Sequence, residues 1–216
     1  MRLALYLRCL EECEGEGQET ISSAEIERLT GIAAGQVRKD LSYFGEFGKP
    51  GLGYVVLSLR ERIAAIMNLD RQQPVVILGA GNLGMALIGY LGFRRSGFPI
   101  VGLFDNDAAK IGRRIGGQVV EDVEDLADRC KAGGVTIGII ATPAAAAQEA
   151  ADRMVAAGVT AILNFAPARV TVREGIRIRT VDLTQELQIL SYYLLRLPKA
   201  PAERAGKAVA PEGRGA

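Results

Sequence analysis

Val75-Val76-Ile77-Leu78-Gly79-Ala80-Gly81-Asn82-Leu83-Gly84 begins as an oily run and ends as a glycine-spaced turn. Four apolar residues stopped by glycine read as a buried strand. Gly79-x-Gly81-x-x-Gly84 then opens a helix carried on by Met85, Leu87, Ile88 and Leu91. The three glycines serve different ends. Gly79 permits the tight turn, Gly81 lets the backbone approach a pyrophosphate, and Gly84 lets helix and strand pack closely. Ala80, Asn82 and Leu83 complete the turn, whose free N–H groups and helix dipole face the anion.

The next strand, Ile100 to Phe104, ends at Asp105, 21 residues beyond Gly84. A carboxylate at that distance can accept hydrogen bonds from adenosine ribose hydroxyls and repels a 2′-phosphate. The reading is a dinucleotide site favouring NAD over NADP, with Arg113 and Arg114 as cations not far downstream. A G-x-G-x-x-G placed between strand and helix, with the acid at the next strand end, is a specific signal; the alternative is a structural glycine turn. The remaining elements alternate as a doubly wound Rossmann sheet should: helix near 121–131, strand Val135 to Ala141, helix 144–157, strand Val159 to Phe165. Thr142-Pro143 and Asn164-Phe165-Ala166-Pro167 follow strand ends, which flank the ligand crevice of an open parallel sheet. They are either candidates for the nicotinamide side or ordinary proline loops. Ile176-Arg177-Ile178-Arg179 alternates apolar and basic residues, as an edge strand does.

Some seventy residues precede this domain. Leu3, Tyr6, Leu7, Leu10 and Cys13 recur at helical spacing, and Glu14-Gly15-Glu16-Gly17 ends that helix. Ser22-Ser23-Ala24-Glu25 is a capping-box start, with Ile26 and Leu29 as the buried side of a short second helix. After Thr30-Gly31, Val37, Leu41 and Phe44 recur at i, i+4 and i+7. Gln36, Arg38, Lys39, Ser42 and Tyr43 are left on the opposite face. A short helix, a glycine turn and a helix with a polar, basic and aromatic face is what a helix-turn-helix needs to enter the major groove. Gly45 to Gly53 holds four glycines in nine residues and leads into a strand at Tyr54-Val55-Val56-Leu57, the form of a wing with Lys49 near its tip. Ser58-Leu59-Arg60-Glu61 repeats the capping pattern and starts a linking helix that Asp70 to Pro74 breaks. The bland alternative is a helical cap on which Arg38 and Lys39 merely solvate a surface. The first 70 residues carry 8 Lys+Arg against 11 Asp+Glu, a formal −3, so only the local face is positive.

Composition narrows the chemistry. The absence of histidine removes Ser-His-Asp triads, His-liganded metals and the usual base of dehydrogenases. After Phe165 only some thirty ordered residues are expected, too few for a substrate domain, so a dehydrogenase is disfavoured and no catalytic residue is nominated. Cys9, Cys13 and Cys130 form neither a disulfide framework nor a metal set, which points to a reducing cytoplasm. No apolar run approaches the ~18 residues of a membrane span. Met1 to Leu10 is broken by Arg2 and Arg8 and lacks the form of a secretory signal.

At the C-terminal end Leu183, Leu187, Leu190, Leu194 and Leu197 form a two-heptad seam, with Ile189, Tyr192, Tyr193 and Leu195 adding apolar surface on other faces. Such a helix must be buried, against its own domain or, as favoured here, in a homodimer. Residues 198–216, rich in Ala, Gly, Pro and charge, are expected to be disordered. The expected domains are therefore 1–70, a winged-helix DNA-binding domain; 74–182, a Rossmann NAD(H)-binding domain; and 183–197, a dimerisation helix. The whole is an α/β chain.

Gln36-Val37-Arg38-Lys39-Asp40-Leu41-Ser42-Tyr43-Phe44-Gly45, the Phe47-Gly48 to Gly53-Tyr54 segment, the Gly79–Gly84 turn, Phe104-Asp105-x-Asp107 and Asn164-Phe165-Ala166-Pro167 together resemble the Rex family of redox-sensing transcriptional repressors. The resemblance spans about residues 3–197. It implies a homodimer with an N-terminal winged helix, a Rossmann domain and a domain-swapped C-terminal helix. The family binds pseudo-palindromic operator DNA when NAD+ prevails and releases it when NADH does. By matching motifs, Arg38 and Lys39 lie in the major groove and Lys49 in the wing. Arg8, Tyr90 and Asp182 match the family's switch contacts between domains. Met1 stands almost within the first helix, where members usually carry several residues ahead of it. Lys49-Pro50 stands where an arginine or similar residue is common.

Overall fold

The N-terminal apolar stripe folds as α1 (Leu3–Gly15), which buries Leu3, Tyr6, Leu7, Cys9, Leu10 and Cys13. In this computed structural model residues 2–45 and 53–194 are described. A two-residue strand β1 (Thr20–Ile21) leads into α2 (Ser23–Thr30). Its capping box is formed as expected: Glu25 N–H donates to Ser22 Oγ at 3.1 Å, and Ser22 N–H donates to the Glu25 carboxylate at 2.8 Å. Gly31, at φ +72°, ends α2 in the left-handed conformation that glycine adopts without strain. The helix α3 (Ala34–Tyr43) follows, and the strand β2 (Tyr54–Val55) pairs antiparallel with β1. The core of this part is Tyr6, Leu10, Ile26, Val37, Leu41, Leu59 and Ile63 with their neighbours.

Four local expectations are corrected here. Leu29 is 45% exposed and Phe44 40%, so neither belongs to the core. α3 stops at Tyr43, which leaves Phe44 beyond the last turn, edge-on to the Tyr43 ring. The strand at 54–57 is only Tyr54–Val55. The expected capping box at Ser58 does not form, because α4 (Val56–Ile66) has already begun. Val56, Leu59 and Ile63 set its phase by burial, so the apolar period overrides the local capping signal. The expected wing tip, Lys49 included, lies outside the described residues.

The second sheet has strand order β5-β6-β4-β3-β7-β8-β9. Its parallel strands are β3 (Val75–Leu78), β4 (Ile100–Asp105), β6 (Gln118–Asp122), β7 (Ile137–Ile140), β8 (Ala161–Asn164) and β9 (Arg177–Thr180). Two-residue β5 (Arg114–Ile115) closes one edge antiparallel to β6, and β9 forms the other edge as the Arg-Ile alternation predicted. One face packs under α7 (Leu126–Gly133) and α8 (Ala147–Ala156), burying Val76, Leu78, Phe104, Cys130 and Met154. The other packs under α5 (Asn82–Ile88) and α6 (Leu91–Arg95), burying Val75, Ile77, Leu103 and Ile139. Apolar side chains on both faces explain why β3 is oily throughout.

Two further corrections belong to this sheet. The helix expected over 121–131 starts only at Leu126. Val119 and Val120 extend a hairpin whose turn glycines, Gly116 and Gly117, both have positive φ. The helix after the glycine turn breaks at Gly89-Tyr90, leaving Leu91 in α6 and 65% exposed.

Residues 1–180 form one compact unit and residues from Val181 onward a second, whose described element is α9 (Leu183–Leu194). Replacing Ser22 by alanine should cost about 1 kcal/mol through the lost capping box. A lower urea midpoint at unchanged slope checks this, and an unmoved midpoint contradicts it.

Candidate functional site

In the order β6-β4-β3-β7-β8-β9 the connections run one way from β3 through β4 to β6, and the other way from β7 outward. The reversal leaves a crevice between the C-terminal ends of β3 and β7, where ligands of doubly wound sheets bind. Gly79 turns the chain there at φ +107°, and a Cβ on it would stand 2.6 Å from the Ala141 carbonyl carbon and oxygen. A Cβ on Gly84 would collide with the Gly79 carbonyl oxygen, whereas Gly81 faces open space. The three glycines thus provide a turn, an open approach and a tight helix–strand contact. α5 has only seven residues, so the cradle is the turn backbone more than a long helix dipole.

Asp105, 9% exposed, closes the far side of this turn. Its Oδ2 accepts Ala80 N–H at 2.8 Å and Lys110 Nζ at 3.0 Å, and its Oδ1 accepts Asp107 N–H at 2.9 Å. Burial alone would raise its pKa; the donors of Asp107, Ala80 and Lys110 outweigh that and hold the carboxyl below its ordinary value, so it stays charged. A cavity of about 370 Å3 opens between these groups, lined by Gly79, Gly81, Asp105, Lys110, Thr142 and Pro143 among others. Val123, Ala146 and Ala150 give it an apolar flank. Thr142 Oγ1 is buried with no partner of its own. An apolar flank, a buried carboxylate and an open glycine turn fit the adenosine and pyrophosphate of a dinucleotide.

Asn164, fully buried, has a different position from Thr142. Its amide donates to the Ala166 and Ala168 carbonyls at 3.2 and 3.1 Å, and its Oδ1 accepts Ala166 N–H at 2.9 Å. It shapes the 165–168 loop from within, while Pro167 is exposed and Phe165 packs against the sheet core.

On α3, Arg38, Lys39, Ser42 and Tyr43 are exposed, Tyr43 to 84%. Arg38 donates to Ser23 Oγ at 2.9 Å across the helix-turn-helix. Gln36 is half-buried and donates to Asp40, which also accepts the Arg2 guanidinium through two N–H groups and Tyr6 O–H at 2.8 Å. Asp40 thus pins the start of α1 to α3. Arg2 above all, with Gln36 and Tyr6, holds its carboxyl well below the usual range against the opposing effect of burial. Burial and the bond to Asp40 push the Tyr6 phenol up to about 12.

The remaining expected residues lie as follows. Arg8 is exposed and pairs with Glu12 at 3.2 Å. Tyr90, 60% exposed, sits edge-on to Phe93. In the second unit Asp182 caps α9, accepting Thr184 N–H at 2.9 Å and Gln185 N–H at 3.2 Å. Leu183, Leu187, Leu190 and Leu194 are each about three-fifths exposed or more; Leu197 lies outside the described residues. Among the described residues no three His, Cys, Asp or Glu side chains gather as metal ligands, and no helix is long and apolar enough to cross a membrane.

Comparison with known proteins places this geometry. The family profile for a putative DNA-binding protein N-terminus matches residues 1–42, and that for a CoA binding domain matches residues 70–168. The chain is 47% identical over 195 residues to the redox-sensing transcriptional repressor Rex of Carboxydothermus hydrogenoformans, covering 90% of this chain and 94% of that one. It is 44% identical over 212 residues to the redox-sensing transcriptional repressor Rex of Streptomyces avermitilis, covering 98% and 81%. The chain belongs to the Rex family. A solved member, RSP in complex with β-NAD+ and operator DNA, matches with TM-score 0.85 at 39% identity over 90% of both chains. RSP in complex with β-NADH matches with TM-score 0.81 at 37% identity over 90% of this chain and 91% of that one. As in that family, an N-terminal helix-turn-helix precedes a Rossmann-like sheet.

Two residues escaped the sequence reading. Asp40 was legible only as part of a motif, although a buried Tyr6 hydroxyl one helix away needs a partner. Lys110 stands five residues beyond Asp105 and three beyond Asp107, a spacing that becomes a contact only because the turn after β4 folds back. Because the pKa of Asp40 is depressed in the folded chain, the stability it contributes is complete above the unfolded value of about 3.9 and fades as pH falls below it. Wild type should therefore lose stability more steeply than Asp40→Asn as pH falls from about 4 to about 2. Parallel urea midpoints for the two proteins would contradict the network.

Proposed function

We propose that this chain is a DNA-binding transcriptional repressor that senses the NADH/NAD+ ratio, holding operator DNA when NAD+ prevails and releasing it when NADH is bound. The observation that carries the reading is the coexistence in one chain of a helix-turn-helix with an exposed basic and aromatic face and a glycine crevice closed by a buried carboxylate. Relatives solved with NAD+ and operator DNA, and with NADH, support it.

Residues 1–70 are the DNA-binding domain in this reading. Gln36, Arg38, Lys39, Ser42 and Tyr43 face the major groove, and Lys49 serves the wing. Residues 74–182 hold the coenzyme. Its pyrophosphate rests on the Gly79–Gly84 turn, its adenosine ribose on Asp105, and its nicotinamide lies toward Thr142-Pro143 and the Asn164–Pro167 loop. NAD supplies a ligand whose two oxidation states differ by a hydride; the residues named bind and orient it, and the chain is a regulator, not an enzyme. It acts as a cytoplasmic homodimer. Residues 183–197 form the swapped helix between subunits, with Arg8, Tyr90 and Asp182 as contacts that change between states. The exposed leucines of α9 support this, since such a surface is stable when a partner covers it.

The physical account is linkage. NADH stabilises a closed dimer, and closure draws the paired α3 helices off the ~34–36 Å spacing of successive major grooves. A coupling of about 1–3 kcal/mol per subunit weakens operator binding by about 30-fold to 10⁴-fold.

Arg38→Ala should abolish retention of a palindromic operator in a gel shift while leaving NADH binding intact. Loss of both in a folded variant would refute the division of labour. Asp105→Ala should weaken NADH about tenfold or more, the scale of hydrogen bonds to a charged group; unchanged affinity by calorimetry would take Asp105 out of the site.

A further inference from the structure

The carboxylate assigned to the ribose is not alone. The turn after β4 folds back on itself: Lys110 N–H donates to the Asp107 carbonyl at 2.8 Å, and Ala109 N–H to the Asp107 carboxylate at 2.9 Å. This brings Lys110 Nζ to 3.0 Å from Asp105 Oδ2 and 3.7 Å from Asp107 Oδ2, inside the crevice. The lysine side chain is about a third exposed, Asp105 is buried and Asp107 about half exposed. Arg113 and Arg114, the next cations along the chain, are exposed and are not among the crevice-lining residues.

We propose that Lys110 is a latent donor to a phosphate on the adenosine ribose, masked by Asp105. Coenzyme choice in this chain is then set by an aspartate–lysine pair, not by the aspartate alone. The inference rests on the coenzyme site described above.

The charges decide the outcome. With Asp105 ionised the three groups sum to one negative charge, and the ammonium is drawn to Oδ2, with one of its three N–H donors committed there. Neutral ribose hydroxyls are acceptable to such a site and a phosphate dianion is not. Neutralising residue 105 removes one carboxylate and frees an ammonium already aimed at the ribose end. It then faces only Asp107, the more solvated of the two acids. A lysine is a point charge that can follow a phosphate without the fixed geometry of a guanidinium.

The test is calorimetric titration of the full chain with NADH and with NADPH, using wild type, Asp105→Asn, Lys110→Met and the double variant. Circular dichroism reports whether each is folded. Asp105→Asn should bind NADPH about tenfold or more tighter than wild type does, the value of one charge-assisted hydrogen bond, while NADH weakens. The double variant should lose the NADPH gain and keep the NADH affinity of Asp105→Asn. The asparagine amide cannot accept from both Ala80 and Asp107, so Asp105→Ser serves as a second route should Asp105→Asn fail to fold. Lys110→Met in the wild-type background should weaken NADPH more than NADH. A folded Asp105→Asn or Asp105→Ser with no NADPH gain, or a gain that survives loss of Lys110, overturns the proposal. Wild type that fails to bind NADH overturns the coenzyme reading instead.

Discussion

The hydrogen bond from Ala80 N–H to the Asp105 carboxylate is the contact on which the crevice depends. It ties the turn after β3 to the end of β4, and the positions of Gly81, Thr142 and the apolar flank follow from where that turn is held. A buried charge is costly unless it is fully hydrogen-bonded. Asp105 meets the requirement with two backbone donors and a lysine, all contributed within one turn of the strand ends. The same carboxylate organises the crevice and, in the proposed function, reads the ribose. Structure and recognition therefore rest on one group, and the glycines serve it by letting the backbone come close enough.

At the other end of the chain Asp40 has a parallel role. It fastens the first residues of α1 to the outward-facing helix α3, and α1 packs along α4, the element that leads into the sheet. The proposed reading face is therefore braced by the helix that also bears Arg8. Coupling between two sites requires an element that both can bias. The proposed element is the dimer, with α9 as its connector. The acidic balance of the first 70 residues does not conflict with a positive reading face, because five glutamates, Glu11, Glu12, Glu14, Glu16 and Glu19, fall in the second half of α1 and the segment leading to β1, away from α3 in sequence.

Much of this was readable in the residues, for physical reasons that differ by region. The Gly79–Gly84 turn and Asp105 were legible because strand, turn, helix and acid must occur at fixed offsets, and few other arrangements satisfy all four. Ser22 and Glu25 were legible because a capping box is a local bond. Ser58 and Glu61 carry the same pattern and form no cap, since burial of Val56, Leu59 and Ile63 starts α4 earlier. Phe44 looked like core by spacing, yet the ten-residue α3 ends one residue before it, and Leu29, although within α2, lies on a side of that short helix that the described residues of its own unit leave exposed. The β5–β6 hairpin was missed because two- and five-residue strands beside paired glycines leave almost no period to count. Lys110 and Arg2 were invisible for another reason: which donor meets a given carboxylate is decided by how turns and helices fold back, and spacing alone does not give that.

In the proposed function the oxidation state of a coenzyme in the sheet crevice governs the grip of a helix in the N-terminal domain. The most direct measurement is fluorescence anisotropy of a labelled palindromic operator with the full chain, at constant total coenzyme and a varied NADH:NAD+ ratio. Bound operator should fall sigmoidally as NADH replaces NAD+, with a dimer as the bound species. Retention of the operator at saturating NADH, by a chain that calorimetry shows to be loaded, would contradict the proposed function.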